Sequence, residues 1–374
     1  MNYTGSYNEL RSIYSHEKDV IDLPGSKVRI NNISFRSDFP ADGFLNRKDH
    51  LITENESFTY PVFIPAVESK KVILLLHGLN ERSWVKYLVW AYWLAENTSS
   101  YVILFPISFH INRSPESWKD PRIMVPFLNN RNLAVGKTGM SSFANAALSD
   151  RLTEDPMRFF NSGYQTVTDL IKLLIKVRTG RHEIIPAGCK LNIFAYSIGA
   201  FLAQIIVMGN PEGLFTESKL FIFCGGSVFS NMNGSSKLIM DRQAFEKVYN
   251  FYLNDFESKI KSEGKTSDYP WSGPIGMAFR SMIDHGRFKT FRESIMRRLK
   301  DQIQCLVLNR DTVIPASGVV ETFSPLRTKS LVKVTDFPYP YSHENPFPVF
   351  NTAMSNEVDR SFELVFNRAE SFLR

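Results

Sequence analysis

Apolar and polar positions follow two rhythms along this chain, and the rhythm changes at turn residues. Lys71–Leu76, Tyr101–Phe105, Lys190–Ala195, Leu220–Cys224, Cys305–Leu308 and Leu331–Val334 are short, nearly continuous apolar runs. Lys71–Leu76 predicts a strand of a parallel sheet, buried on both faces so that neither side of the pleat meets water, Tyr101–Phe105 is the next buried strand, and the remaining runs are further strands. Between them the apolar spacing lengthens to that of a helix. Ser83–Glu96 sets Trp84, Tyr87, Leu88, Ala91, Leu94 and Ala95 on one side, Val167–Val177 and Ile198–Met208 repeat the pattern, and Glu357–Leu373 closes the chain. Nearer the start, Val28–Phe35 and Ser57–Ile64 are β-rich and separated by Pro40, Gly43 and Asn46, which predicts an antiparallel pair. The first twenty residues read as a polar lead-in, grouped with these strands as residues 1–66. The alternation of strand and helix predicts an α/β fold, a doubly wound, mostly parallel sheet built as one domain over residues 1–374.

Two stretches break the alternation. Residues 106–164 are aromatic and studded with proline, and residues 229–300 carry helical patterns interrupted at Pro270-Trp271-Ser272-Gly273-Pro274. Excursions this long usually have substructure of their own or cover a site. Both leave the carboxyl ends of strands, where open α/β sheets bind ligands, so both are expected to be cap insertions.

Composition changes this picture little. Hydrophobic residues make up 43% and charged residues 22%, ordinary values that allow a large core. The 44 basic and 38 acidic residues are dispersed, without a run of five like charges, so the net +6 gives no sign of a nucleic-acid arm or a membrane-surface patch. The apolar runs are too short to cross a bilayer. The polar start (Met1-Asn2-Tyr3-Thr4-Gly5-Ser6-Tyr7) does not resemble a secretory leader, and a cytoplasmic location is expected. Cys189, Cys224 and Cys305 are far apart and odd in number. Neither a disulfide framework nor a metal set is implied, and no cofactor is expected.

The chemistry concentrates at Ala195-Tyr196-Ser197-Ile198-Gly199, between an apolar strand and a helix beginning Ala200-Phe201-Leu202. A nucleophilic hydroxyl needs exposure at a sharp strand-to-helix turn, and small residues two before and two after let the strand and helix approach. The helix N-terminus beneath it favours negative charge. Alone, the five residues are weak evidence; their setting strengthens them. Two further segments fall in order downstream. Cys305-Leu306-Val307-Leu308-Asn309-Arg310-Asp311 ends an apolar strand on a carboxylate and runs on through Thr312-Val313-Ile314-Pro315. Tyr341-Ser342-His343-Glu344-Asn345-Pro346 follows the last strand.

From about Lys71 to its C-terminus the chain resembles the α/β-hydrolase superfamily, with Ala195 where the family pattern has its first glycine. The resemblance implies Ser197 as nucleophile, His343 as general base and Asp311 as the acid that orients the histidine. Asp336, nearer His343 in sequence, is the rival acid. The resemblance also implies an oxyanion hole from the backbone N–H of Ile198 and one from His77-Gly78-Leu79-Asn80, with Leu79 the first candidate and Gly78 the next. His77 shapes that loop and is not read as a base. The expected activity is hydrolysis of a carboxylic ester or related acyl bond of a small molecule. Peptidase, thioesterase, lipase and acyltransferase chemistry on the same triad, and a catalytically silent binding protein, are the alternatives.

Each residue also has an ordinary reading. Ser197 could cap a helix, Asp311 could cap the next one, and His343 could be a loop histidine; all three would have to coincide. His110 and His285, inside the two insertions, read as solvated loop histidines with substrate contact as the alternative. Arg82 and Trp84 read as packing, and Gly225-Gly226-Ser227 as a turn near the pocket.

Overall fold

The computed structural model describes residues 2–39, 45–262, 270–324, 331–349 and 352–374. Its strands are β1 (Val20–Asp22), β2 (Arg29–Arg36), β3 (Ser57–Ile64), β4 (Lys71–Leu76), β5 (Tyr101–Leu104), β6 (Lys190–Tyr196), β7 (Leu220–Phe223), β8 (Ile303–Leu308) and β9 (Val332–Thr335). They form one sheet in the order β1-β2-β3-β5-β4-β6-β7-β8-β9. The pairs β1–β2, β2–β3 and β3–β5 are antiparallel, and every pair from β5 through β4 to β9 is parallel. This is the expected doubly wound, mostly parallel sheet, with the short β1 added at its edge.

Alternate residues of each central strand serve opposite faces, which is why the runs are apolar throughout. Val72, Leu74 and Leu76 point into one core and Ile73 and Leu75 into the other; Ala195 and Phe194 divide in the same way. The second core is completed by α1 (Tyr3–Ile13), α2 (Val85–Thr98) and α12 (Ser355–Leu373). The first is covered by α5 (Met157–Arg178), α6 (Ile198–Gly209) and α11 (Ala316–Phe323).

Two elements at the start of the chain add to what the pattern predicts. The polar lead-in contains α1, which is capped by the Asn2 side chain accepting the Gly5 N–H at 2.7 Å. Tyr3 is buried, with its ring 4.5 Å from that of Phe362 in α12. Polar residues hid α1 because its inward side is carried mainly by Tyr3 and Leu10. β1 was missed because three residues are too few to show a period. Pro40 and Gly43 lie outside the described residues.

The first excursion carries α3 (Pro121–Val135) and α4 (Ala146–Glu154), but Met157–Tyr164 is continuous with α5, so the chain is back on the sheet before residue 164. The second carries α7 (Arg242–Asn250), a π-helical turn over Phe251–Asp255, α8 (Phe256–Ser262), α9 (Pro274–Ser281) and α10 (Lys289–Leu299). Residues 263–269 of that stretch are outside the described set. The Pro270–Pro274 break leads straight into α9, with Pro274 at its first position, where a missing N–H costs nothing.

The strand order reverses at β4, whose neighbours are β5 on one side and β6 on the other. Leu76 is paired with Ala195, so the loops leaving β4 and β6 emerge side by side. Such a reversal opens a crevice at the carboxyl edge of a sheet.

Candidate active site

Ser197 sits at the end of β6 with φ 58° and ψ −126°, a conformation that side-chain-bearing residues rarely adopt. Its carbonyl starts α6 by accepting from Ala200 N at 2.9 Å, while its N–H reaches Phe223 O at 3.3 Å. The turn is tight because α6 runs close against β4. A Cβ at Gly199 would lie 2.6 Å from the carbonyl oxygens of both Leu76 and His77. Gly225 is constrained in the same way, 2.5 Å from the Ala200 methyl, and Gly226 has φ 108°; Gly225-Gly226-Ser227 is therefore a buried turn beneath the serine.

The structure brings the three sequence-predicted side chains together. Ser197 Oγ lies 2.6 Å from His343 Nε2, and His343 Nδ1 lies 2.7 Å from Asp311 Oδ2. All three residues are at most 5% exposed. Asp311 Oδ1 accepts the N–H groups of Val313 and Ile314, both at 2.9 Å, which aims Oδ2 at the imidazole. With a carboxylate on Nδ1, that nitrogen is the donor and Nε2 is left to accept from the serine hydroxyl. Asp336 does not compete. It is half-exposed and accepts from Arg310 Nε at 2.9 Å and Tyr341 OH at 2.7 Å, which hold its carboxyl below the usual range.

Tyr196 was not singled out by sequence. Its ring stacks on that of His343 at 5.6 Å, and its hydroxyl donates to the His343 carbonyl oxygen. Burial pushes this phenol well above its ordinary pKa, so it stays a neutral donor. The available signal was its place next to the nucleophile, where the pleat directs it to the opposite face.

In the loop after β4, the Gly78 N–H donates to Tyr87 OH at 2.9 Å, which removes Gly78 as an oxyanion donor. Among the described residues, no protein acceptor takes the N–H of Leu79 or Ile198. His77 is fully buried: its Nε2 accepts from Ile107 N at 2.9 Å and its Nδ1 donates to Gly78 O at 2.8 Å. Burial drives its pKa well below the usual histidine value, consistent with a structural part. Asn80 (φ 59°) donates to Ala144 O at 2.9 Å and Leu238 O at 2.7 Å, one carbonyl from each excursion. Arg82 donates to Trp118 O and Ala144 O, and Trp84 packs edge-on against His77. A buried Arg131–Asp241 ion pair at 2.9 Å joins α3 to the start of α7.

Two apolar pockets meet at Leu79, Phe159 and Ile198. The larger encloses about 560 Å³ with its mouth, walled by Phe160, Val167, Phe201, Ile205, Ile275 and Phe279. The smaller, about 440 Å³, contains Ser197 and is walled by Phe229, Met232, Met240, Phe245, Val313 and Ile314. His110 lines the larger pocket and is 4% exposed, so the expectation of a solvated loop histidine is overturned. His285 faces Asn231 and Glu321 near the surface and lines neither pocket.

Among the described residues no group of three His, Cys, Asp or Glu side chains is placed to hold a metal ion, and no helix is long and apolar enough to cross a membrane. Cys224 and Cys305 are buried thiols, and Cys189, Cys224 and Cys305 are all free.

Several solved structures align with most of the chain. A carboxyl esterase from the mycorrhizal fungus Tuber melanosporum aligns with TM-score 0.47 and 9% identity, covering 99% of this chain and 98% of that one. A thermostable carboxyl esterase from Bacillus coagulans, in complex with glycerol, gives TM-score 0.45 and 12% identity over 92% and 99% of the two chains. A cold-adapted esterase from an Arctic intertidal metagenomic library gives 0.44 and 11% over 93% and 95%. No curated protein matches the sequence. Residues 41–374 match DUF6051, described as a family of unknown function, and the chain belongs to that family.

Proposed function

We propose that this protein is a serine hydrolase that cleaves a carboxylic ester, or a related acyl bond of a small molecule, through an acyl-enzyme on Ser197. The observation that carries the reading is the unbroken, buried hydrogen-bond chain from Ser197 Oγ through His343 to Asp311. The backbone strain at Ser197 supports it, because strain of this kind persists where the surrounding structure holds it for a purpose.

In this mechanism His343 Nε2 takes the hydroxyl proton as Oγ attacks the carbonyl carbon. Asp311 holds the tautomer and stabilises the imidazolium. The tetrahedral oxyanion accepts from the Ile198 and Leu79 N–H groups, with the N-terminus of α6 adding favourable potential. The bond to the leaving group breaks, that group departs with the proton held on His343, and the acyl group stays on Oγ. A water then repeats the sequence, giving up its proton to His343 and releasing the acid and the free serine. The chemistry calls for no cofactor. The two excursions, tied to each other and to the Leu79 loop, serve as the cap that keeps bulk water off the intermediate.

A lipid-directed version of the same activity has one observation in its favour. α3 exposes Ile123, Val125, Phe127 and Leu133, and no acidic residue occurs from Pro121 to Ser149. Activity that rises sharply when a substrate passes into micelles would favour that version; a strict preference for short soluble esters would exclude it.

The test is covalent labelling by a fluorophosphonate together with a panel of chromogenic acyl esters. Wild-type protein should be labelled, Ser197→Ala should not, and hydrolysis should fall by roughly 10⁴-fold or more in the variant. Wild-type protein that stays unlabelled alongside a labelled control esterase would sink the reading in favour of a silent binding protein.

A further inference from the structure

His110 is built into the wall of the larger pocket with more care than a packing residue needs. It follows β5 in a loop whose neighbours on either side, Phe109 (φ 66°) and Ile111 (φ 52°), both occupy the left-handed region. For β-branched Ile111 that is a true outlier, and such strain must be held from outside. The holding groups are on the page. Asn55 Oδ1 accepts from Phe109 N at 3.1 Å and from Arg113 Nε at 3.2 Å. Arg113, fully buried, also donates to the carbonyls of Pro106 and Asn55 and pairs with Asp169 at 2.9 Å. Ser108 N donates to Thr166 Oγ1 at 3.0 Å. The loop is clamped at both ends around one imidazole.

That imidazole has a defined tautomer and an unspent atom. Nδ1 lies 2.9 Å from Ser108 O, so Nδ1 carries the proton and Nε2 is an acceptor. Nε2 is buried and no described group pairs with it. Burial, reinforced by Arg151 and Arg113 nearby, lowers the pKa to about 4, so the ring is neutral near neutral pH. His77, the ring beside it at 5.4 Å, has both nitrogens committed and can give it nothing. The rest of the lining is apolar apart from Tyr164 and Ser162, and the Ser162 hydroxyl is already donated to Arg158 O at 2.8 Å. A lone acceptor left unpaired in such surroundings costs free energy, and a ligand donor would recover it.

We propose that the larger pocket receives an apolar arm of the substrate that carries one hydroxyl or N–H group, and that His110 Nε2 accepts the hydrogen of that group. The inference rests on the hydrolase reading above and narrows its substrate to uncharged acyl compounds with such a donor on one arm. His110 acts here in recognition, apart from the bond-breaking chemistry. A largely apolar pocket with a buried, unpaired acceptor rejects the analogue lacking the donor, because that analogue leaves Nε2 unpaired.

The experiment uses the full chain and chromogenic esters in matched pairs, with and without a hydroxyl at successive carbons of either the acyl or the alcohol arm. Wild-type kcat/KM should favour the hydroxylated member at one position by about ten- to a hundredfold. His110→Phe should erase that preference, making kcat/KM equal for the two members of each pair, and His110→Asn, which retains an acceptor, should restore part of it. A wild type indifferent to the hydroxyl at every position, or a preference unchanged in His110→Phe, would overturn the proposal and leave Nε2 to a buried water. Should His110→Phe fail to fold, the wild-type series and His110→Asn still decide. Fluorophosphonate labelling separates the two levels: no labelling ends the hydrolase reading, whereas labelling without a hydroxyl preference ends this inference alone.

Discussion

The loops carrying His343 and His110 hold the same ring in two settings. Both imidazoles are buried and both give their Nδ1 hydrogen to an oxygen, Asp311 Oδ2 at 2.7 Å in one case and Ser108 O at 2.9 Å in the other. Both therefore offer Nε2 as an acceptor. One oxygen carries a negative charge and the other does not. A peptide carbonyl fixes a tautomer as well as a carboxylate does, but it cannot offset the positive charge that appears when the ring takes up a proton in a dry interior. Hydrogen-bond geometry alone would make the two histidines interchangeable. The charge of the partner makes one suited to shuttling protons, in its proposed role, and the other suited to staying neutral.

The comparison can be broken most severely at Asp311. Asp311→Asn should leave the protein folded but allow an amide N–H to face the imidazole, turning the ring to the wrong tautomer. kcat for ester hydrolysis should drop by about 10⁴-fold near neutral pH. A loss of less than about tenfold would mean that Asp311 is no more to His343 than Ser108 is to His110.

A smaller effect concerns stability against pH. The folded-state pKa of His110 is depressed to about 4 from an ordinary 6.5, so unfolded chains take up this proton first as the solution is acidified. The stability tied to the neutral ring is complete above about 6.5 and is lost as the pH falls towards about 4. For this one residue the loss is roughly 3 kcal/mol across that window. His110→Phe should flatten the acid limb of a plot of unfolding free energy against pH by that order, as followed by urea unfolding at several pH values. A limb of unchanged slope would show that the ring takes up its proton as readily in the fold as in the unfolded chain.

The smallest expected effect sharpens the contrast at the surface. Asp336 lies on the same loop as His343 but is bound to Arg310 and Tyr341, away from the imidazole. Asp336→Asn should leave kcat essentially unchanged, because an exposed ion pair contributes little. A large fall would return Asp336 to contention as the partner acid.

The strands and the three aligned side chains were legible in the sequence for one reason. Ser197 and Asp311 stand close to the ends of apolar runs, and a run buried on both faces is hard to mistake. His343 lies in the loop after the partly exposed edge strand β9, so locating the strands located the candidate site. What escaped was whatever depends on contacts across the fold. The buried side of α1 is Tyr3 and Leu10, whose partners lie in α2 and α12. Gly78 was kept as a candidate donor because nothing local to it says that Tyr87 OH takes its N–H. His110 was misread as solvated because its burial is imposed by Asn55 and Thr166, from two distant stretches of chain, together with Arg113 in its own loop. Local pattern reports which face of an element is apolar, and it is silent about which loop is pulled inward.

The Asn80 side chain holds a carbonyl from each excursion while its own backbone follows directly on Leu79. Moving Ala144 away from Leu238 would break at least one of these two hydrogen bonds. In the proposed hydrolase, parting the two excursions would therefore loosen the peptide next to the Leu79 amide, so that opening the site and weakening its oxyanion donor would go together.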